Sequence, residues 1–195
     1  SIEELPILPV QDASQVPTIQ VLDANEYHQK ANAAIEAASI DEALTIFEEG
    51  IATHPENEAL RYGFAKSLIQ YKEDHERAKV ELETLIQISG YNTDAHFLLG
   101  ELAEIREDYH TARFHFDKVI AIDDAYPDVH YRLGNILANK YDNSQAEAAT
   151  SFERAIHFDS NNTDAHYQYA VLQDEFYGDS EKAITYFEKT LELEI

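Results

Sequence analysis

Three Asp-x-His pairs recur in the sequence: Asp94-x-His96, Asp128-x-His130 and Asp164-x-His166. A carboxylate beside an imidazole is a pairing that can ligate a metal ion. Here the pairs fall about one structural repeat apart, and stacked helical layers are separated by on the order of 10 Å, too far to share one ion. The expectation is therefore structural: each Asp caps the helix it opens, and each His packs beside a helix crossing.

Other chemistries find less support. Ser and His are plentiful, but none stands in a glycine-flanked nucleophile elbow. There is no phosphate-cradling glycine loop and no His-Glu-x-x-His zinc motif. Tyr141-Asp142-Asn143-Ser144 resembles a piece of a calcium loop but lacks the remaining ligands. With Cys 0, neither a disulfide framework nor a thiolate site is available. The sequence thus offers no catalytic, cofactor or metal residues.

Charge narrows the partners. Asp plus Glu number 38 against 14 Lys plus Arg, a formal net charge of −24 over 195 residues. That field repels nucleic acid and anionic lipid and favours neutral or basic partners. No stretch has the apolar length of a membrane span, and none reads as a signal peptide. The absence of Cys, of Met and of an initiator Met leans toward an extracytoplasmic location, without fixing a compartment.

The elements that carry these residues are helices. Small residues recur at Ala31, Ala65, Gly100, Gly134 and Ala170, and a second ladder runs through Ala43, Ala78, Ala112, Ala148 and Ala183. From Ala24 onward the apolar residues follow a 3.6-residue period. The pattern predicts first helices near 24–37, 57–71, 93–106, 127–140 and 163–177, with partners near 41–54, 74–88, 109–122, 144–158 and 179–194. Pro127 suits the first turn of its helix, and Asn-Thr-Asp at 92–94 and 162–164 offers capping side chains. Residues 1–23 differ: Pro6, Pro9 and Pro17 exclude a continuous helix, so extended backbone is expected. The segment is apolar enough to dock on a surface or to serve as a tether.

These features resemble the tetratricopeptide repeat (TPR) family, whose 34-residue helix-turn-helix unit places small residues where its helices cross. The resemblance rests on Leu99-Gly100, Ala112, Phe116 and Val119 in one unit, and on Tyr27, Ala31, Ala34, Ala43, Phe47 and Pro55 in another. A bulky residue follows each second-helix Ala by four places: Phe47, Leu82, Phe116, Phe152 and Phe187. The resemblance implies an all-α, right-handed superhelical solenoid of five units, about 24–57, 58–92, 93–126, 127–162 and 163–195, preceded by the extended segment. Three units carry extra residues between their helices, expected to lengthen turns only. The family's aromatic near the start of the first helix is Tyr27, then Arg61, His96, His130 and His166; its closing Pro appears only at Pro55, with Gly90, Asp124 and Ser160 near the later corners.

In that family the first helices form the concave surface. Mapped here, this gives a ladder of His28, Tyr62, Phe97, Tyr131 and Tyr167, flanked by Asn32, Lys66, Glu101 and Asn135. Either the rings pack on neighbouring helices, or they floor a groove for a peptide. Some family members clamp a terminal carboxylate with Lys, Arg and Asn on this face; Asn32, Lys66, Arg132 and Asn135 are comparable, but Asp94, Asp128 and Asp164 stand where positive charge would help.

Two functions follow as expectations. The first is a non-catalytic scaffold holding a neutral or basic protein segment in the groove. The second is a structural subunit, a homo-oligomer or filament that stacks head-to-tail through open ends with residues 1–23 bridging to a neighbour.

Overall fold

The computed structural model describes residues 22–141 and 143–194; the expected extended segment, save Leu22 and Asp23, lies outside them. The described chain is ten helices in five antiparallel pairs. They are α1 (Ala24–Glu36), α2 (Ile40–Thr53), α3 (Glu58–Ser67), α4 (His75–Ile88), α5 (Thr93–Ile105), α6 (Tyr109–Ile122), α7 (Val129–Lys140), α8 (Gln145–Phe158), α9 (Thr163–Glu175) and α10 (Ser180–Leu193). Each pair packs tightly within itself, and each second helix packs on the first helix of the next pair. No helix among the described residues is long and apolar enough to cross a membrane.

Local signals set the boundaries. Asp23 and Glu26 form a reciprocal capping box at α1. Asn57, Asp74, Asn92, Asp108, Asn162 and Asp179 each accept a bond from a backbone N–H three residues on. The predicted capping by Asp94, Asp128 and Asp164 is corrected by this pattern. Asn92 and Asn162 cap α5 and α9, which leaves Asp94 and Asp164 in the first helical turn. Asp128 precedes α7 with a left-handed backbone, φ 60°, and no side-chain cap bond. The same turn moves the helix start to Val129, so Pro127 stands in the corner and not in the first helical turn.

Both ladders lie at the helix crossings, where a small side chain lets two backbones approach. Ala31, Ala65, Ala170, Ala43, Ala78, Ala112, Ala148 and Ala183 are buried, as are Phe47, Leu82, Phe116 and Phe152. The extra residue of the second pair does not simply lengthen a turn. It widens the end of α3 into a π-helical turn, Leu68–Lys72, closed by Asp74 N–H on the Leu68 carbonyl at 3.2 Å. The fifth pair makes the equivalent bond, Asp179 N–H on the Gln173 carbonyl at 2.7 Å, without a π-helical turn. In the first and third pairs the corresponding bonds, Ser39 to Ala34 and Asp108 to Ala103, span one residue fewer.

Candidate partner-binding groove

The first helices line one face, and the predicted site residues divide along it. His28, Asn32, Tyr62 and Lys66 come together in a pocket of about 270 Å³, joined by Ile35, Gln70 and Tyr71. No carboxylate lines it. Asn32 Nδ2 is 3.4 Å from His28 Nδ1, and the Lys66 ammonium sits 6.0 Å from the Tyr62 ring centroid. The π-helical turn supplies Gln70 and Tyr71, so the inserted residue shapes the pocket. Sequence reasoning missed both, although the extra residue at this turn marked the place.

The middle of the face is a wider depression, about 450 Å³, floored by Ile69, Leu98, Leu102 and Ile105 and edged by Glu101, Glu104 and Arg132. Arg132 bonds Glu104 at 2.7 Å and pairs with Glu101, while its guanidinium lies 5.5 Å from the Phe97 ring. It is therefore tied into the wall and not free to receive a ligand carboxylate. Burial raises the pKa of Glu101, opposed by Arg132, with Glu104 and Asp128 raising it further. Burial also raises that of Tyr62, helped by Asp94 and Glu101, so its phenol stays protonated.

Asn135 lines a third depression with Glu104, Tyr109, Ile136, Asn139 and Lys140. Its Oδ1 is buried without a hydrogen-bond partner among the described residues. The rings of the aromatic ladder also pack on neighbouring helices. Phe97 packs between Phe116 and Tyr126, at 5.7 and 4.9 Å, and Tyr131 leans on Phe152 at 6.2 Å. Tyr167 meets Phe187 at 5.6 Å yet stays 49% exposed. Tyr126 donates its hydroxyl to Asp94 at 2.6 Å, so this carboxylate serves Tyr126 and not a helix cap.

The three histidines of the Asp-x-His pairs bond the corners between pairs. His96, His130 and His166 are buried and place Nε2 at 3.4, 2.8 and 3.0 Å from the carbonyls of Gly90, Asp124 and Ser160. A carbonyl only accepts, so each Nε2 carries a proton. Arg61 does the same to Pro55, at 2.8 Å. Among the described residues no group of three or more His, Asp or Glu is placed to hold a metal ion.

The two ends of the array differ. On each internal second helix an Ile eight residues after the ladder Ala, at Ile51, Ile86, Ile120 and Ile156, is partly buried under the next pair. Its equivalent on α10, Leu191, is 63% exposed, and Ile184 is 56% exposed. On α1, by contrast, Glu26 and Lys30 are exposed at the places where α3 buries Leu60 and Phe64.

No family model and no curated protein matches the chain. Solved structures match it in fold. A crystal structure of MamA has TM-score 0.75 at 19% identity, covering 88% of this chain and 91% of that one. MamA 41-end from Desulfovibrio magneticus RS-1 has TM-score 0.75 at 19% identity, covering 88% and 94%. YrrB, described as a TPR protein with an unusual peptide-binding site, has TM-score 0.71 at 21% identity, covering 88% and 86%. The likeness is one of fold, and the fold of this chain is the all-α TPR solenoid.

Proposed function

We infer that the chain is a non-catalytic scaffold that holds a segment of another protein along the face of its first helices. The observation that carries this reading is the pair of open depressions along that face, one lined by His28, Asn32, Tyr62 and Lys66 and the other edged by Glu101, Glu104 and Arg132. The groove residues are His28, Asn32, Tyr62, Lys66, Phe97, Glu101, Tyr131, Asn135 and Tyr167. Glu101 and Glu104, with Asp94 and Asp128 near them, favour a neutral or basic segment in the middle of the groove. The carboxylate-free pocket around Lys66 accepts a neutral or polar portion. The test is a peptide-array screen followed by fluorescence anisotropy on the best basic peptide. Asn32→Ala, Lys66→Ala and Tyr167→Ala, at exposed positions, are expected to weaken binding together by at least roughly tenfold, or about 1.4 kcal/mol, with unchanged helical circular dichroism. Unchanged affinity moves the site off this face.

Head-to-tail self-assembly draws on Ile184 and Leu191, which present an apolar patch on α10. The opposite end does not match it. Stacking a second copy in the internal register sets Glu26 and Lys30 of α1 where Leu60 and Phe64 serve inside. It also sets Glu42 opposite Glu188, where internal joints pair Arg77 with Glu48 and Lys182 with Glu153. A filament therefore needs another contact, for which residues 1–23 are the candidate bridge. Sedimentation velocity with and without residues 1–23 separates the readings: a concentration-dependent polymer that shortens on their removal supports assembly, and a monomer in both removes it.

A further inference from the structure

Three of the four joints between successive pairs place an aromatic ring under a cation, which comes from the following pair in two of them and from the preceding pair in the third. Between the first and second pairs, Phe64 lies under Arg77, with the guanidinium 5.3 Å from the ring centroid. Between the fourth and fifth, Tyr169 lies under Lys182 at 4.9 Å, and its hydroxyl also bonds Glu153. Between the third and fourth the first-helix position is Leu133, but Tyr141 from the inserted residues swings its ring under Arg113 at 5.3 Å.

Among the described residues, the joint between the second and third pairs has no ring under a cation. Leu99 stands where Phe64 and Tyr169 stand, and Ala103 where Leu68 and Leu137 stand. The consequence is a pocket of about 270 Å³, with Leu99, Leu102 and Ala103 as its apolar floor and Lys79, Arg106 and His115 among its polar walls. Lys79 is the equivalent of Arg113, the cation over Tyr141. It is held near the mouth by Glu83, at 3.6 Å. An engineered cavity of about 150 Å³ already accepts benzene, so the volume suffices for a ring.

His115 adds a directional group. It is 8% exposed, and its Nδ1 is 3.0 Å from Nδ1 of His96. His96 keeps its proton on Nε2 for the Gly90 carbonyl, so in the neutral pair His115 Nδ1–H donates to His96 Nδ1. That leaves His115 Nε2 as an unprotonated acceptor on a side chain that lines the pocket.

We propose that the pocket between α4, α5 and α6 is a binding site for the phenol side chain of a tyrosine on a partner protein. The ring lies on Leu99 and Ala103 beneath Lys79, and the hydroxyl donates to His115 Nε2. Charge complementarity supports this occupant: a cation at the mouth favours a π face, and the acceptor on the wall favours an O–H donor over a purely aliphatic group. The site is separate from the first-helix groove and does not depend on it.

The probe is 4-methylphenol, titrated into the ¹⁵N-labelled protein. A saturable shift is expected at Leu99, Leu102, Ala103 and Thr111, and toluene is expected to bind roughly tenfold more weakly for lack of the hydroxyl, a difference of about 1.4 kcal/mol. Leu99→Phe, which places a ring where Phe64 and Tyr169 stand, should raise Tm and abolish the response. Ala103→Leu should abolish it while the fold is kept. The proposal is overturned if 4-methylphenol gives no saturable shift, if toluene binds equally well, or if the response survives in both variants.

Discussion

His130 Nε2 lies 2.8 Å from the carbonyl oxygen of Asp124, six residues earlier, and 3.2 Å from Oδ1 of the same residue. The six-residue relation recurs at Arg61, His96 and His166, so every later pair begins by fastening the corner behind it. These corners lack the family's closing Pro except at Pro55, and a side-chain N–H holds the loop instead.

The corner bonds differ in quality, which fixes an order of effects. His130 satisfies Nε2 and stacks on Phe158 at 5.6 Å, whereas His166 leaves a buried Nδ1 without a partner among the described residues. His130→Ala should cost about 3 kcal/mol and His166→Ala about 2, because the second substitution also removes an unsatisfied atom. Urea unfolding at neutral pH measures both; equal costs would mean that the orphan nitrogen carries no penalty.

Much of this fold was legible because both ladders are set by hard packing. A residue at a helix crossing must be small, and Ala31 and Ala112 report that directly. Functions of polar residues were less legible. Asp94 looks like a cap but bonds Tyr126, since Asn92 two residues earlier has the better geometry for the helix N-terminus. Tyr71 entered the groove through a π-helical turn that periodicity alone does not distinguish from a loop. The empty ring position at Leu99 is visible only when the joints are compared in space, because Tyr141 comes under its cation from a different point in the chain.

Arg132 holds two carboxylates and covers Phe97, so its removal tests the groove wall. Arg132→Ala leaves Glu101 and Glu104 facing each other with Asp128 near. Buried pairs broken on one side lose roughly 3–5 kcal/mol; these groups are partly solvated, so about 2 kcal/mol is expected. Arg132→Gln should recover part of it. The loss should shrink at pH 4, where Glu101, already pushed up by burial, takes up a proton. Thermal melts at pH 7 and pH 4 check both the size and the sign; a loss unchanged at pH 4 would place the cost in packing on Phe97.

The His96–His115 pair makes stability fall on acidification. Burial, then His96 and Lys79, push the His115 pKa down from 6.5 to about 4. Burial lowers that of His96 too, with Lys118 adding to the effect and the Gly90 bond opposing it. Between pH 6.5 and about 4 the unfolded chain therefore binds the proton that folded His115 refuses, and stability drops across that window and levels below it. Replacing His115 by Gln should flatten this part of the curve relative to the parent. Urea midpoints taken at half-unit steps from pH 7.5 to 4 provide the comparison, and parallel curves would exclude the pair as the source.

Gly100 shows why one rung of the ladder is glycine and not alanine. A Cβ built on Gly100 falls 2.5 Å from Cε1 of Phe116 and under 3.0 Å from two further ring atoms. Phe116 is fully buried, so the ring has no free volume into which it can turn. Alanine gains about 1 kcal/mol of helix propensity over glycine, but overpacking a rigid core costs about 1–3 kcal/mol. With a whole ring in the way the second effect wins, and Gly100→Ala should be destabilising by about 1 kcal/mol. Gly90→Ala is the control, since its nearest neighbour is a backbone oxygen at 3.8 Å, and it should leave stability within about 0.5 kcal/mol of the parent. The double variant Gly100→Ala with Phe116→Leu removes the obstructing ring and should show a favourable coupling between the two sites in a double-mutant cycle. Additive losses would mean that Phe116 is not what keeps the rung bare.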